Sequence, residues 1–289
     1  GAQGNSPATE ATARANRAVT QQLDLADRRD FEDARRGLIA TPEALQVRMA
    51  DGEVIWDMPA YDFIEGEAPE SVNPSLWRQA MLNNIHGLFE VVPGIYQLRG
   101  FDLSNMSIIE GDSGWIVVDP LTTKETAQAA MDFARAHLGD KPVSAIIFTH
   151  SHIDHFGGVL SVLAGGKDIE IIAPEGFMEE ATSENVLAGT TMSRRSMFMY
   201  GSQLERSARG HVGSGLGKSP AMGSPGIAAP TRIIDTTGER VTIDGVRWPL
   251  ADASIAAGHR PSMSIEAVED RVRLNATGGS VVVARQVKG

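Results

Sequence analysis

Four side chains that commonly bind metal ions stand within six residues near the middle of the chain. They form an H-x-H-x-D-H pattern and are His150, His152, Asp154 and His155. The apolar run at 144–149 precedes them and has the composition of a buried strand, and Gly157 and Gly158 follow. Ligands that come directly after a strand and before a helix occupy the place where α/β sheets carry their sites. The pattern therefore favours an α/β fold in which one strand ends at a metal site.

The residue types of this pattern favour zinc. Residues i and i+2 of an extended segment point the same way, so His150 and His152 can converge on one ion while Asp154 and His155 turn toward a second. Imidazole and carboxylate suit Zn²⁺, and Mn²⁺ or Fe²⁺ are also compatible with them. A lone histidine is more often a hydrogen-bonded core or surface residue, but four ligand types at this spacing favour metal binding. The pattern predicts hydrolysis by a metal-bound hydroxide, with Asp154 as both ligand and catalytic residue.

Charge and composition exclude several other functions. The 37 acidic and 26 basic residues give a net charge of −11, which disfavours binding to nucleic acid phosphates. The chain has no cysteine, so disulfides, thiolate nucleophiles and iron–sulfur clusters are excluded. No apolar run reaches the roughly 18–20 residues that a membrane span needs. We expect neither a nucleic acid partner nor a membrane span.

Short β-prone segments alternate with helical patterns around the motif. Helical spacing of Ala127, Ala130, Met131, Ala134 and Leu138 predicts a helix over 124–138. Strands are predicted where β-branched and aromatic residues cluster between turn residues, at 94–99, 106–109, 115–118, 144–149, 168–173 and 239–246. A second helix is predicted over 174–187, and a long loop over 207–230. This order of elements indicates an α/β domain.

At these residues the chain resembles the metallo-β-lactamase superfamily, and within it the alkylsulfatase branch, the type III sulfatases. The likeness covers about residues 15 to 246. It rests on THSHIDHFGG and on the flanking text LWRQAMLNNIHGLFEVVPGIYQLRGFDLSNMSIIEGDSGWIVVDPLTTKETAQAAM, SENVLAGTTMSRRSMFMYG, HVGSGLGK and APTRIID. The resemblance implies an αβ/βα sandwich, a centre of two zinc ions held in part by the four motif residues, and hydrolysis of small-molecule alkyl sulfate esters to alcohol and sulfate. It also implies a homodimer and export to the periplasm or beyond, with a cytoplasmic location as the alternative.

The resemblance also suggests how the chain is divided. We expect a flexible leader (1–16), an N-terminal helical extension (17–88), the first half of a metallo-β-lactamase-like domain (89–246) and a divergent tail of unknown structure (247–289). After the DGV turn the family continues with glutamates and a histidine that complete the metal pair, and this chain does not match that text. We therefore expect an incomplete or divergent C-terminal half, with weaker binding of a second ion and reduced or absent sulfatase activity.

Three cations are candidates for binding the sulfate group. Arg194, Arg195 and Lys218 could hold its oxygens through charge-assisted hydrogen bonds, although a helix surface explains the two arginines equally well. The glycine-rich stretch around Lys218 lacks Walker spacing and more resembles a flap over a site. Two alternative functions remain open: hydrolysis of another ester, a lactam or a phosphodiester by the same centre, and a truncated or inactive metal-binding fragment.

Overall fold

An eight-stranded mixed sheet forms the centre of the fold. The computed structural model describes residues 6–164, 166, 168–236 and 240–249, together with the backbone of three strands between 263 and 283. The helices of these residues are α1 (Glu10–Thr20), α2 (Arg29–Arg35), α3 (Pro74–Leu82), α4 (Lys124–Leu138), α5 (Val159–Leu163), α6 (Phe177–Thr182) and α7 (Gly189–Tyr200). The strands are β1 (Leu38–Ala40), β2 (Gln46–Arg48), β3 (Val54–Asp57), β4 (Gly87–Val92), β5 (Ile95–Arg99), β6 (Met106–Glu110), β7 (Trp115–Val118), β8 (Val143–Ile147), β9 (Glu170–Pro174), β10 (Arg232–Ile234), β11 (Arg240–Ile243), β12 (Val246–Pro249), β13 (Met263–Val268), β14 (Arg271–Ala276) and β15 (Gly279–Val283).

The strands of the central sheet change direction at β7. Their order is β1-β4-β5-β6-β7-β8-β9-β10. Neighbours from β1 to β7 are antiparallel, whereas β7, β8, β9 and β10 run parallel to one another. In register, Val118 of β7 lies beside Ile147 of β8, and Ile147 lies beside Ile172 of β9. The carboxyl ends of three consecutive parallel strands therefore meet at one edge of the sheet.

Helix α4 covers one face of the sheet. It begins after Thr123, whose side chain accepts a hydrogen bond from the backbone N–H of Thr126, and it ends at Gly139, which has a φ of +90°. Its apolar side chains recur at helical spacing, are at most 1% exposed and belong to the main core; they are Ala127, Ala130, Met131 and Ala134. The helix lies as the sequence predicts, with the same bounds.

The hairpin formed by β11 and β12 covers the opposite face. Its side chains Val241, Ile243 and Trp248 pack with Ile109 and Ile116 of the sheet in a second core. The turn of the hairpin is fixed to the sheet through Asp244, whose carboxylate accepts hydrogen bonds from the backbone N–H groups of residues 113 and 114. Layers on both faces of a mixed sheet confirm the expected α/β class.

The N-terminal extension is less helical and begins earlier than the sequence suggests. The predicted leader through residue 16 is wrong in its second half, because α1 begins at Glu10, capped by Thr9. Asn16 donates a hydrogen bond to the Glu70 carbonyl and holds α1 to the rest of the extension. The segment expected to be a helical extension, 17–88, contains helices and strands. It contains the β2–β3 hairpin, and β1 joins the edge of the central sheet beside β4.

Part of the expected tail, 247–289, lies outside the described residues. The backbone that is described there forms a three-stranded antiparallel sheet, β13-β14-β15. The positions where the family would place its remaining metal ligands fall where no side chain is described. Among the described residues, no helix combines the length and the hydropathy that crossing a bilayer requires.

Candidate metal centre

The histidine motif follows strand β8 and lies at the edge of the sheet where the parallel strands end. The strand is almost completely buried between β7 and β9. The chain then leaves the sheet through Phe148 and Thr149, and a single 3₁₀ turn over Ile153–His155 folds the motif back on itself. Gly158 follows where a side chain has no room, since a Cβ there would lie 2.1 Å from the carbonyl oxygen of Pro120. The motif is therefore a tight loop on a rigid strand.

The four predicted metal ligands come together in this loop. The ring centroids of His150 and His152 are 4.6 Å apart, and those of His150 and His155 are 4.1 Å apart. Nε2 of His155 lies 3.2 Å from Oδ2 of Asp154. Neighbouring donors of a tetrahedral zinc ion with bonds near 2.0–2.1 Å stand about 3.3–3.4 Å apart. The Nε2–Oδ2 distance of His155 and Asp154 is close to this spacing, and the rings of His150 and His152 lie beside this pair.

The side chains of the cluster are paired with one another. Within the described part of the chain, no group of three or more His, Cys, Asp or Glu side chains is arranged so that it could hold a metal ion. Nε2 of His155 faces Asp154, and Nε2 of His152 lies 3.7 Å from Oε1 of Glu184. Three imidazoles and two carboxylates are the donors that zinc prefers in proteins. The residue types fit a metal ion of this class, and their side chains would have to turn away from these mutual contacts to bind one.

Asp119 is a member of the site that the sequence analysis missed. It follows β7, and its carboxylate accepts hydrogen bonds from Nδ1 of His155 at 2.7 Å and from the hydroxyl of Thr149 at 2.6 Å. Its other oxygen accepts the backbone N–H of Thr149 at 2.8 Å. The sequence does contain a signal for Asp119. This residue directly follows the predicted strand WIVV at 115–118, and neighbouring parallel strands end at the same edge of a sheet.

These contacts determine which ring nitrogens face the site. The hydroxyl proton of Thr149 goes to Asp119, so its oxygen, 2.9 Å from Nδ1 of His150, accepts the N–H of that ring. Nε2 of His150 is then the nitrogen with a free lone pair. In His155 the bond to Asp119 likewise engages Nδ1 and leaves Nε2 for a ligand. Outer partners of this kind hold metal-binding histidines in place.

The pKa values of His150 and His155 are shifted in opposite directions. Burial, reinforced by the charge on His155, lowers the pKa of His150 to about 4. Burial also opposes a charge on His155, but the Asp119 and Asp154 carboxylates prevail and raise its pKa to about 10. Burial works against the charge of Asp154, yet the hydrogen bond from His155 lowers the pKa of this carboxyl. Without a metal, the cluster therefore holds one proton on His155, which an incoming cation must displace.

A second buried carboxylate ties the surrounding loops together. Asp102 accepts hydrogen bonds from donors in four segments of the chain, which are Leu103 N, Thr122 N and Oγ1, Thr126 Oγ1 and Ala221 N. Two residues further on, the hydroxyl of Ser104 donates to the carbonyl oxygen of Asp154. Asp102 thus fixes the loop after β5 against the metal-binding turn.

The three cations expected to bind sulfate lie in different places. Arg194 and Arg195 are exposed on α7. Lys218 is buried; its Nζ donates to the carbonyl oxygen of Ala80 and lies 4.6 Å from the centroid of the Tyr61 ring. Burial lowers the pKa of Lys218 to about 7. Lys218 therefore anchors its loop to the N-terminal extension, and sulfate binding by the three residues stays a prediction.

Comparison with known proteins gives the family of this chain. The model of the metallo-beta-lactamase superfamily matches residues 99–272, which extends beyond the expected point of departure near residue 247. An (R)-specific secondary-alkylsulfatase of Pseudomonas sp. is 49% identical over 247 residues, which cover 83% of this chain and 37% of that protein. A linear primary-alkylsulfatase of Pseudomonas sp. is 46% identical over 281 residues, or 95% of this chain and 41% of that protein. The alkyl/aryl-sulfatase BDS1 of Saccharomyces cerevisiae is 48% identical over 240 residues, or 81% and 37%.

A solved structure agrees with this result. The stereoselective inverting sec-alkylsulfatase Pisa1 from Pseudomonas sp. superposes with a TM-score of 0.81 at 45% identity, over 94% of this chain and 42% of that one. The chain thus spans about two fifths of the length of the relatives it matches. The matched region contains the whole histidine motif, the strand that carries it and the strand that ends at Asp119. On this basis, the chain belongs to the metallo-beta-lactamase superfamily.

Proposed function

We propose that this chain hydrolyses alkyl sulfate esters to an alcohol and sulfate at a zinc centre. The observation that carries the proposal is the convergence of His150, His152, Asp154 and His155 at the carboxyl edge of the sheet. The relatives named alkylsulfatases, which are 46–49% identical to it, support this substrate class over others that the same centre could serve.

The residues of the centre have separate tasks in this reaction. A zinc ion bound here would supply Lewis acidity and an activated water molecule at neutral pH. Asp119 accepts a hydrogen bond from Nδ1 of His155, and Thr149 accepts the N–H of His150, so Nε2 of each ring would be the nitrogen available to an ion. Asp154, whose ionised form His155 favours, would serve as a ligand and orient the attacking water. The buried surroundings strengthen each of these electrostatic interactions.

The reaction consumes one water molecule for each ester bond. An alkyl sulfate and water give an alcohol and hydrogen sulfate, and the oxygen of the water ends either on carbon or on sulfur. Arg194 and Arg195 are exposed and able to meet the anionic headgroup, whereas Lys218 would have to leave the Ala80 carbonyl to do so. Hydrolysis in ¹⁸O-labelled water, with mass spectrometry of both products, identifies the bond that breaks.

Sulfate release from dodecyl sulfate tests the proposal. The chain is first stripped with a chelator and then supplied with zinc, and released sulfate is measured by ion chromatography. We expect release that depends on added zinc and that falls at least 100-fold in D154N, with D24N, a change at an exposed aspartate, as the matched control. Nitrocefin and bis(p-nitrophenyl) phosphate serve as comparison substrates.

Two other outcomes would contradict the proposal. If the lactam or the phosphodiester is hydrolysed faster than dodecyl sulfate, the centre is a lactamase or a phosphodiesterase centre instead. Zinc binding without turnover of any of the three would leave a metal-binding fragment, as the missing match to the family's later ligands suggests. Metal content measured by elemental analysis on the same samples separates these outcomes from a failure to bind zinc.

A further inference from the structure

A carboxylate from a different element reaches the metal-binding loop. Oε1 of Glu184 lies 3.7 Å from Nε2 of His152. The side chain of Glu184 is only 12% exposed, whereas that of His152 is 42% exposed. Glu184 belongs to a single π-helical turn, Ser183–Leu187, between α6 and α7. Single π turns are uncommon and frequently occur at functional sites. Because the Glu184 side chain is mostly buried, contact with solvent does not explain its position.

Helix α6 is fixed directly against the histidine motif. Its first residue, Phe177, is buried and stacks on Phe148, with ring centroids 4.9 Å apart. The same ring meets Phe156 edge-on at 5.4 Å. Phe148 precedes His150 by two residues and Phe156 directly follows the motif, so both ends of the metal-binding loop are held to one aromatic side chain. The side chains on α6 and on the turn after it, including Glu184, are therefore held in a fixed position relative to the metal-binding loop.

The periodicity of α6 turns Glu184 inward. Phe177 and Ala181 are the buried residues of the helix, and the next position on this face is 184. An apolar residue would be expected there if packing alone decided. Burying a carboxylate costs free energy unless the charge is compensated. One neighbour within ion-pair distance of this carboxylate is the imidazole of His152.

Outer partners already hold the other two histidines. Asp119 engages Nδ1 of His155 and Thr149 engages Nδ1 of His150. Metal-binding histidines nearly always give their second ring nitrogen to a carboxylate, a carbonyl or water. For His152, Glu184 is a carboxylate of this kind, with Oε1 3.7 Å from Nε2.

We propose that Glu184 is a positioning residue that orients His152 toward the metal ion. The role rests on the proposed metal centre and adds a member that lies outside the histidine motif. Nε2 of His152 donates its proton to the carboxylate, and Nδ1 is then the nitrogen that faces the ion.

Zinc affinity tests this role without any measurement of turnover. Competition with a chromophoric chelator is carried out on the full chain and on E184A, E184Q and E180A, the last being an exposed acid on α6. Loss of an outer partner typically weakens metal binding by 10–100-fold, which is the loss we expect for E184A. The amide oxygen of E184Q still accepts a hydrogen bond, so we expect its affinity within about threefold of the parent. E180A should bind zinc like the parent.

A double-mutant cycle separates positioning from a general loss of structure. If Glu184 acts through His152, E184A costs no further affinity once H152A has been introduced. Zinc affinity of E184A equal to that of the parent would overturn the proposal, as would an E184Q as weak as E184A or additive losses in the double mutant. A parent chain that binds no zinc would overturn the proposed centre as well, so the two failures are distinguishable.

Discussion

Nδ1 of His155 donates a 2.7 Å hydrogen bond to the carboxylate of Asp119. The two residues are far apart in sequence and meet because β7 and β8 are parallel neighbours whose ends adjoin. The bond orients the ring of His155 and keeps a proton on Nδ1, so Nε2 is the nitrogen that would lose its proton to an ion. It also makes Asp119 the link between two histidines, because the same carboxylate oxygen accepts the Thr149 hydroxyl beside His150.

Replacing Asp119 should weaken metal binding although it is not one of the motif ligands. In D119N the amide group has one acceptor oxygen for three donors, so the orientation of His155 or of Thr149 is lost. We expect zinc affinity to fall about 10–100-fold, as is usual for such outer partners. Chelator competition measures it, with D24N as control. A D119N protein with parental affinity would show that the bond does not organise the site.

The contribution of His155 to the stability of the metal-free protein should fall as the pH rises. The folded pKa of His155 is about 10, above its ordinary value of 6.5, so folding favours the protonated form. That contribution is fully present below pH 6.5 and is lost as the pH rises through about 10. Urea unfolding in the presence of EDTA at pH 7 and pH 9.5 measures the difference. We expect the stability at pH 9.5 relative to pH 7 to be lower in the parent than in H155N, and equal changes in both proteins would refute the assignment.

Zinc should reverse this dependence. The ligands must be deprotonated to bind, so the ion competes with the proton on His155 and gains affinity as the pH rises. Thermal unfolding with and without zinc should show stabilisation that grows between pH 6 and pH 8. At a zinc concentration 100 times the Kd, stabilisation of about 2.7 kcal/mol is expected. Stabilisation that is independent of pH would mean that His155 is not a ligand.

Asp102 should be important for stability rather than for chemistry. Its carboxylate accepts five hydrogen bonds in a fully buried position. In D102N, at least one of these donors would face the side-chain NH₂ group, and an unsatisfied buried donor costs about 1–3 kcal/mol. We expect a loss of about 2–4 kcal/mol in chemical unfolding. A loss below about 0.5 kcal/mol, as expected for D24N on the surface, would contradict the hub role.

The second glycine after the motif should not tolerate a side chain. A Cβ at Gly158 would lie 2.1 Å from the Pro120 carbonyl oxygen and 2.5 Å from Cβ of Ala127. Neither atom belongs to a flexible side chain, so we expect G158A to cost about 3 kcal/mol through displaced backbone. At Gly189, at the start of α7, a Cβ would meet no heavy atom within 4 Å, and G189A is the matched control. Similar stabilities of the two variants would contradict this.

Local sequence predicts the elements around the site well. Strands β5 to β8 and helix α4 lie where alternation and helical spacing place them, because each is long enough to have its own pattern. The strands of the N-terminal extension, β1 to β3, are too short to have such a pattern. Leu38 pairs with Phe89, about fifty positions away, and no local signal announces such a pairing.

The site was predictable only in part, for a similar reason. The motif residues lie within six positions, so their spacing alone predicts that His150 and His152 converge on one ion while Asp154 and His155 turn toward a second. Asp119 and Glu184 reach the same place from another strand and from a helix, and only the assembled sheet brings them there. The buried position of Lys218 also follows from tertiary packing, since its loop meets the N-terminal extension through Ala80.

The direction of β8 has a practical use. The turn at Gly139–Pro142 enters this strand at the end opposite to the histidines, and five residues of strand separate the two ends by roughly 17 Å. The Asp140 side chain there is 88% exposed. A fluorophore attached at this turn would be held at a fixed distance from the histidines by the rigid strand. That distance is short enough for energy transfer to report cobalt binding at the histidines, and long enough for the label not to disturb the site.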